Sequence, residues 1–204
     1  MQTELIARLQ AKSEKTILKA LEDLRHPDLE MIAKSEPVLV AVRKLIEHES
    51  WAIRSSALLT LALDPGPVDM DLASRTLDED PHWRVRVFAS LLLRTGAPNP
   101  KVVPILEEAL KDENHEVRAS ASRCLGRHGS SKNIPALQEL YNDSYWEVRW
   151  DAAAAAYTLG SEAARVVLRQ VLESDEVPQE FLGDLNSTFA ILPRGSDLSI
   201  FFAC

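Results

Sequence analysis

The stretch Asp80–Leu93, "DPHWRVRVFASLLL", decides how this chain is read. An Asp-Pro turn leads into a tryptophan, then an arginine three residues later, then an apolar run. The phrase returns as "HESWAIRSSALLTL" from His48, "DENHEVRASASRCL" from Asp112 and "DSYWEVRWDAAAAA" from Asp143. Its arginines, Arg54, Arg86, Arg118 and Arg149, are spaced 32, 32 and 31 residues apart. The residue before each is Ile53, Val85, Val117 or Val148. Three positions after each stands Ala57, Ala89, Ala121 or Ala152, and seven after stands Leu61, Leu93, Leu125 or Ala156. Positions −1, +3 and +7 share one face of an α-helix. The small alanine lets a neighbouring helix come close.

A second helical segment precedes each phrase: "EPVLVAVRKLIEH", "PVDMDLASRTLDE", "PKVVPILEEALKD" and "KNIPALQELYND" all place apolar residues three and four apart. Pro104 and Pro135 recur 31 residues apart near helix starts, where proline is tolerated. Loop residues close each pair, as in "DPGP" at 64, "TGAPNP" at 95, "GRHGSSKN" at 126 and "LGSE" at 159. The unit is helix, tight turn, helix, loop, and such a period predicts a solenoid. The Thr-Pro-Leu-His turn of ankyrin repeats and the Trp-Leu-Gly-Tyr pattern of tetratricopeptide repeats are both absent.

The Asp, Val-Arg and alanine-rich helix together resemble HEAT repeats, in particular the short repeats of the phycobilisome-lyase type, over about residues 36–175. The resemblance implies an all-α fold: a right-handed α-α superhelix, armadillo-like, of about four full helical hairpins plus capping helices. Expected boundaries are 1–34 for N-terminal capping helices and 35–175 for the repeats. The repeats divide at about 35–64, 65–97, 98–130 and 131–160, with a further unit from 161. A degenerate cap and tail fill 176–204. The resemblance further implies a ladder along the stack that uses Asp80, Asp112, Asp143 and Asp175 with Arg54, Arg86, Arg118 and Arg149. His48 replaces the aspartate in the first unit, so the ladder should be weaker there. The aspartates sit where helix N-caps belong. Trp51, Trp83, His115 and Trp146 stand three residues before the arginines. A residue that recurs at the repeat period serves the repeat, so these read as seam residues rather than as a fourfold site.

The chain has 204 residues, 46 % apolar and 26 % charged, with a formal net charge of −8. That balance suits a folded soluble chain and argues against a general nucleic-acid binder, which needs a basic surface. Cys124 and Cys204 make no metal spacing or disulfide framework, so a reducing cytoplasm is expected. No signal peptide, membrane span or prenylation box is read. The five histidines form no ligand pair, and no phosphate-binding Gly-rich loop or Gly-x-Ser-x-Gly elbow occurs. No catalytic residue, metal site or cofactor is assigned.

Function is therefore sought where the repeat departs from packing demands. If the second helices line a concave face, their outward rows fall one, five and eight residues after the arginine. These rows bring Val87, Leu91, Trp150 and Tyr157 together with Arg84, Arg94, Arg123 and Arg127. Aromatic, arginine and apolar side chains together have the composition of an interaction hot spot. Val87 and Leu91 are equally readable as packing residues, whereas Trp150 lies outside the seam position and is expected to be an exposed anchor. First helices carry the acid and second helices most of the arginines, so the groove should be locally basic and its partner acidic. The expectation is a non-enzymatic scaffold or adaptor that binds a protein or peptide. The resemblance allows two enzyme readings. One is a bilin lyase or lyase-subunit chaperone holding an open-chain tetrapyrrole, and the other is a HEAT-like DNA glycosylase. A toxin-neutralising immunity protein is also compatible with the fold.

Overall fold

The computed structural model describes residues 1–178. Among them lie twelve α-helices and no strand: α1 (Gln2–Leu9), α2 (Glu14–Leu24), α3 (Glu30–Ala33), α4 (Glu36–Lys44), α5 (Trp51–Leu61), α6 (Pro67–Glu79), α7 (Trp83–Thr95), α8 (Val103–Ala109), α9 (His115–His128), α10 (Ile134–Gln138), α11 (Trp146–Thr158) and α12 (Ala164–Leu172). The expected tail falls outside the described residues from position 179 onward. The chain divides into two compact units, Met1–Ile105 and Leu106–Cys204.

The repeat rows are the core of both units. Ile53, Val85, Val117 and Val148 are buried, as are Ala57, Ala89, Ala121 and Ala152, and Leu61, Leu93, Leu125 and Ala156. In the first unit α1 packs on α2 and α4, α2 on α5, α5 on α7, and α6 on α7. In the second unit α11 packs on α9, α10 and α12. Small residues set these distances. A methyl group built on Gly126 of α9 would stand 3.1 Å from both Cα and Cβ of Ala155 on α11. Gly160 adopts φ +102° between α11 and α12, a backbone state that costs glycine little.

The helices start where sequence chemistry lets them. Pro37, Pro67, Pro104 and Pro135 lie in first turns, where no intrahelical N–H is needed. The first helices of the third and fourth pairs are shorter than their sequence pattern. The 3-10 turns Pro100–Val102 and Ser131–Asn133 precede α8 and α10, and Glu139–Asn142 follows α10.

The expected N-caps are displaced. Asp80, Asp112 and Asp143 each accept a backbone N–H from the residue two positions on, His82, Asn114 and Tyr145, at 2.9, 2.9 and 3.0 Å. They close the turn, and the N-caps are those later residues. His82 Nδ1 accepts from Arg84 N, and Asn114 Oδ1 from Glu116 N. His48 does the aspartate's turn work with its ring, as Nδ1 accepts from Ser50 N at 3.0 Å.

Candidate interaction surface

Each repeat arginine ties its own turn to its helix. Arg54 Nη1 donates to the His48 carbonyl, Arg86 Nη1 to Asp80, Arg118 Nη1 to Asp112, and Arg149 Nη1 to Asp143, all at 2.8–2.9 Å. The remaining guanidinium edge reaches the next repeat. Arg54 grips Asp80 with two bonds of 2.7 and 2.9 Å, and Arg118 grips Asp143 with two of 2.8 and 3.0 Å. Such two-pronged pairs fix register as well as charge. Only 7 % of each aspartate side chain is exposed, and 11–13 % of these arginines. Burial alone would raise the Asp143 pKa. The bonds from Arg118 and Tyr145 N–H, with the charges of Arg118 and Arg149, outweigh burial and hold it below the usual carboxylate range. At the last rung the expected aspartate is replaced: Arg149 pairs with Glu176, not Asp175.

The aromatic positions also interlock. The Trp51 and His82 rings stack at 4.4 Å and 7°, and His115 and Tyr145 at 3.8 Å and 4°. The rule is one residue off the sequence repeat: the ring three before one arginine stacks on the residue four before the next. The Arg84 guanidinium lies over both Trp51 and Trp83, at 5.1 and 5.0 Å. These seams are not sealed, because Trp51 remains 37 % and Tyr145 45 % exposed. They therefore hold the stack and present an edge at once.

The expected binding residues do not fall together as one class. On α7, Arg84 is exposed and Val87, Leu91 and Arg94 are half-buried. On α9, Arg123 and Arg127 are exposed, and Arg123 Nη1 bonds Asp151 at 2.6 Å, which neutralises its charge. Tyr157 is half-buried with Arg165 over its ring at 5.6 Å. Trp150 is only 7 % exposed, so the expectation of an exposed anchor is corrected. Trp150 is buried together with Val148 and the alanines at 152–156, and α11 packs against α9, α10 and α12. The row one after the arginine is buried in three of four repeats, at Ser55, Ala119 and Trp150, and so is not outward there.

Two sets of residues escaped the sequence reading. Arg43 grips Asp69 at 2.7 and 3.3 Å, and Asn133 Nδ2 donates to Glu107 at 2.8 Å, so the first helices have side-chain links of their own. Asp69 and Asn133 also accept N–H groups at the starts of their helices, from Gly66 and Ser130. The signal was a shared separation of 26 residues, the same as Arg54 to Asp80, hidden because the residue types change. Arg25, at the end of α2, is the other omission. Its Nη1 donates to the hydroxyls of Ser56 and Thr60 on α5, at 3.0 and 3.3 Å.

Among the described residues no group of histidine, cysteine and acidic side chains is placed to hold a metal, and no helix is long and apolar enough to cross a membrane. No curated protein matches the sequence. Solved structures match the fold. A chain of the complex of CpcE and CpcF of phycocyanin lyase from Nostoc sp. PCC7120 superposes with TM-score 0.71 at 19 % identity, over 87 % of this chain and 72 % of that one. A designed armadillo repeat protein gives 0.59 at 16 % identity over 95 % and 100 %. Another, solved in complex with the peptide (KR)4, gives 0.59 at 15 % over 98 % and 95 %. The fold is thus the all-α repeat class of HEAT and armadillo proteins. The sequence pattern that defines HEAT repeats matches residues 70–156 and again 103–180. These matches span more than half of the sequence, and the chain belongs to the HEAT-repeat family.

Proposed function

We propose that this protein is a cytoplasmic, non-enzymatic scaffold or adaptor that captures a partner protein or peptide on the faces of its second helices. The observation that carries this reading is the stripe on α7. Arg84, Val87, Leu91 and Arg94 follow each other at intervals of three, four and three residues, and none of them is fully buried. A stripe with apolar centres and arginine ends, flanked by the half-open Trp51 and Trp83 rings, suits a mixed or acidic peptide. Arg127 and Tyr157 belong to the same reading in the second unit. The neighbours support it as analogues, since one is part of a two-protein complex and another holds a peptide.

The test is capture with wild type beside Leu91→Glu. The substitution is expected to abolish recovery of the wild-type partner while leaving the melting temperature within a few degrees. Equal recovery by both proteins removes the α7 face from the proposal. The likeness to the phycocyanin lyase complex favours one second reading, a lyase subunit or chaperone that holds a bilin. An absorbance titration with bilin decides it: no spectral change removes that reading and leaves the scaffold.

A further inference from the structure

The groove between α2 and α5, within the first unit, holds a cation, Arg25, with no carboxylate on it among the described residues. Arg25 is partly buried there, and its hydrogen bonds all go to neutral oxygens of Ser56 and Thr60. Among the described residues, no carboxylate oxygen lies within ion-pair distance of it. The other strongly held arginines of this unit differ: Arg8, Arg43 and Arg54 each grip an aspartate. Burial of Arg25 lowers its pKa, with Glu22 acting against that. A partly desolvated guanidinium that spends only Nη1, and only on neutral oxygens, is an unusual thing to keep, because its Nε and Nη2 edge is left for a carboxylate, which a planar fork can hold with two bonds.

The groove has a volume of about 800 Å³. Leu18 and Lys15 line it, and among the described residues Lys15 has no ion-pair partner. The two carboxylates on the lining are already engaged. Glu22 pairs with Lys19 at 3.0 Å, and Glu14 accepts from the Ser50 hydroxyl. Position in the chain adds charge logic. Residues 1–105 carry 14 Lys and Arg against 15 Asp and Glu, while residues 106–204 carry 9 against 16. The acidity of the protein therefore belongs to its second half, and an anion meets little general repulsion at α2. Arg25 and Lys15 are ten residues apart on one helix, about 15 Å along its axis. An extended chain spans that distance with four to five residues.

We propose that this groove is a binding site for an acidic peptide segment of the partner, with one carboxylate on Arg25 and a second, four or five residues away, on Lys15. This rests on the peptide-binding reading above and extends it to α2, which the sequence marked only as part of a cap. Arg25 anchors the segment, the Ser56 and Thr60 hydroxyls hold its guanidinium in place, and Leu18 packs against the backbone of the guest.

The experiment is a nitrogen-15 NMR titration of the full chain with the peptide (Gly-Glu)4, and with (Gly-Gln)4 as its neutral counterpart. Shifts are expected at Lys15, Leu18, Arg25, Ser56 and Thr60 with the acidic peptide only. Arg25→Gln should weaken binding about tenfold, and Arg25→Lys, which keeps charge but loses the fork, should fall between. The wild-type shift map tests the site even if a variant folds poorly. Equal shifts with the neutral peptide, or no shifts at these residues, overturn the proposal. Shifts confined to Arg84, Leu91 and Trp51 overturn the groove and leave the α7 reading standing.

Discussion

The Arg118–Asp143 rung offers the sharpest test of how this stack holds together. Arg118→Met keeps much of the aliphatic stem and removes four hydrogen bonds: two to Asp143, and two to the carbonyls of Asp112 and Glu113. Asp143 then keeps its carboxylate 7 % exposed, with the Tyr145 N–H as its remaining hydrogen bond beside the more distant charge of Arg149. Breaking a buried pair by removing one member costs about 3–5 kcal/mol, because the other charge is stranded. For a chain of this length that corresponds to a loss of about 10 °C in melting temperature. Asp143→Leu should cost less, since Arg118 keeps two backbone carbonyls and lies nearer to solvent. The double variant, Arg118→Met with Asp143→Leu, removes both charges together and should recover part of the loss. Urea denaturation of the four proteins gives the coupling, expected at about 2–3 kcal/mol. Additive losses, with coupling below about 0.5 kcal/mol, would refute the view that the pair acts as a unit, and the ladder would be reduced to surface charge.

The same carboxylate sets a pH dependence. Its folded pKa is depressed, so its contribution is present above the usual carboxylate value and is lost as pH falls through the lower folded value. The stability gap between wild type and Asp143→Asn should hold steady above about pH 5 and close below about pH 4; a gap unchanged in acid would contradict the assignment. Trp150→Ala empties a buried site on α11 and should cost about 3–5 kcal/mol, read as a shifted urea midpoint; a loss below about 1 kcal/mol would return Trp150 to the surface.

Much of the architecture was legible because the packing rows repeat. A buried position must be apolar in every copy, so Ile53, Val85, Val117 and Val148 announce themselves, as do the alanines three positions on. The aspartate and arginine rung was reachable through the family pattern, and it holds at Arg54 and Arg118. The last rung differs by one residue: Arg149 pairs with Glu176 where Asp175 was expected. The stacks of Trp51 on His82 and His115 on Tyr145 were hidden, since they join positions that are not equivalent in the repeat. The candidate surface was the least legible part: Arg123 was read as one arginine of a locally basic groove, and its counter-charge Asp151 lies on the next long helix.

The sequence by itself determined the helical pairs, their period, and the rows that face the core, because those depend on spacing along one helix. Only the tertiary structure decided which of the remaining positions meet solvent. Trp150 is buried where α11 packs against α9, α10 and α12, while Val87, at the equivalent position on α7, stays half-open. Arg25 keeps neutral partners because α5 presents hydroxyls to it. Exposure is set by what lies across the gap, and periodicity within one helix carries no record of that neighbour.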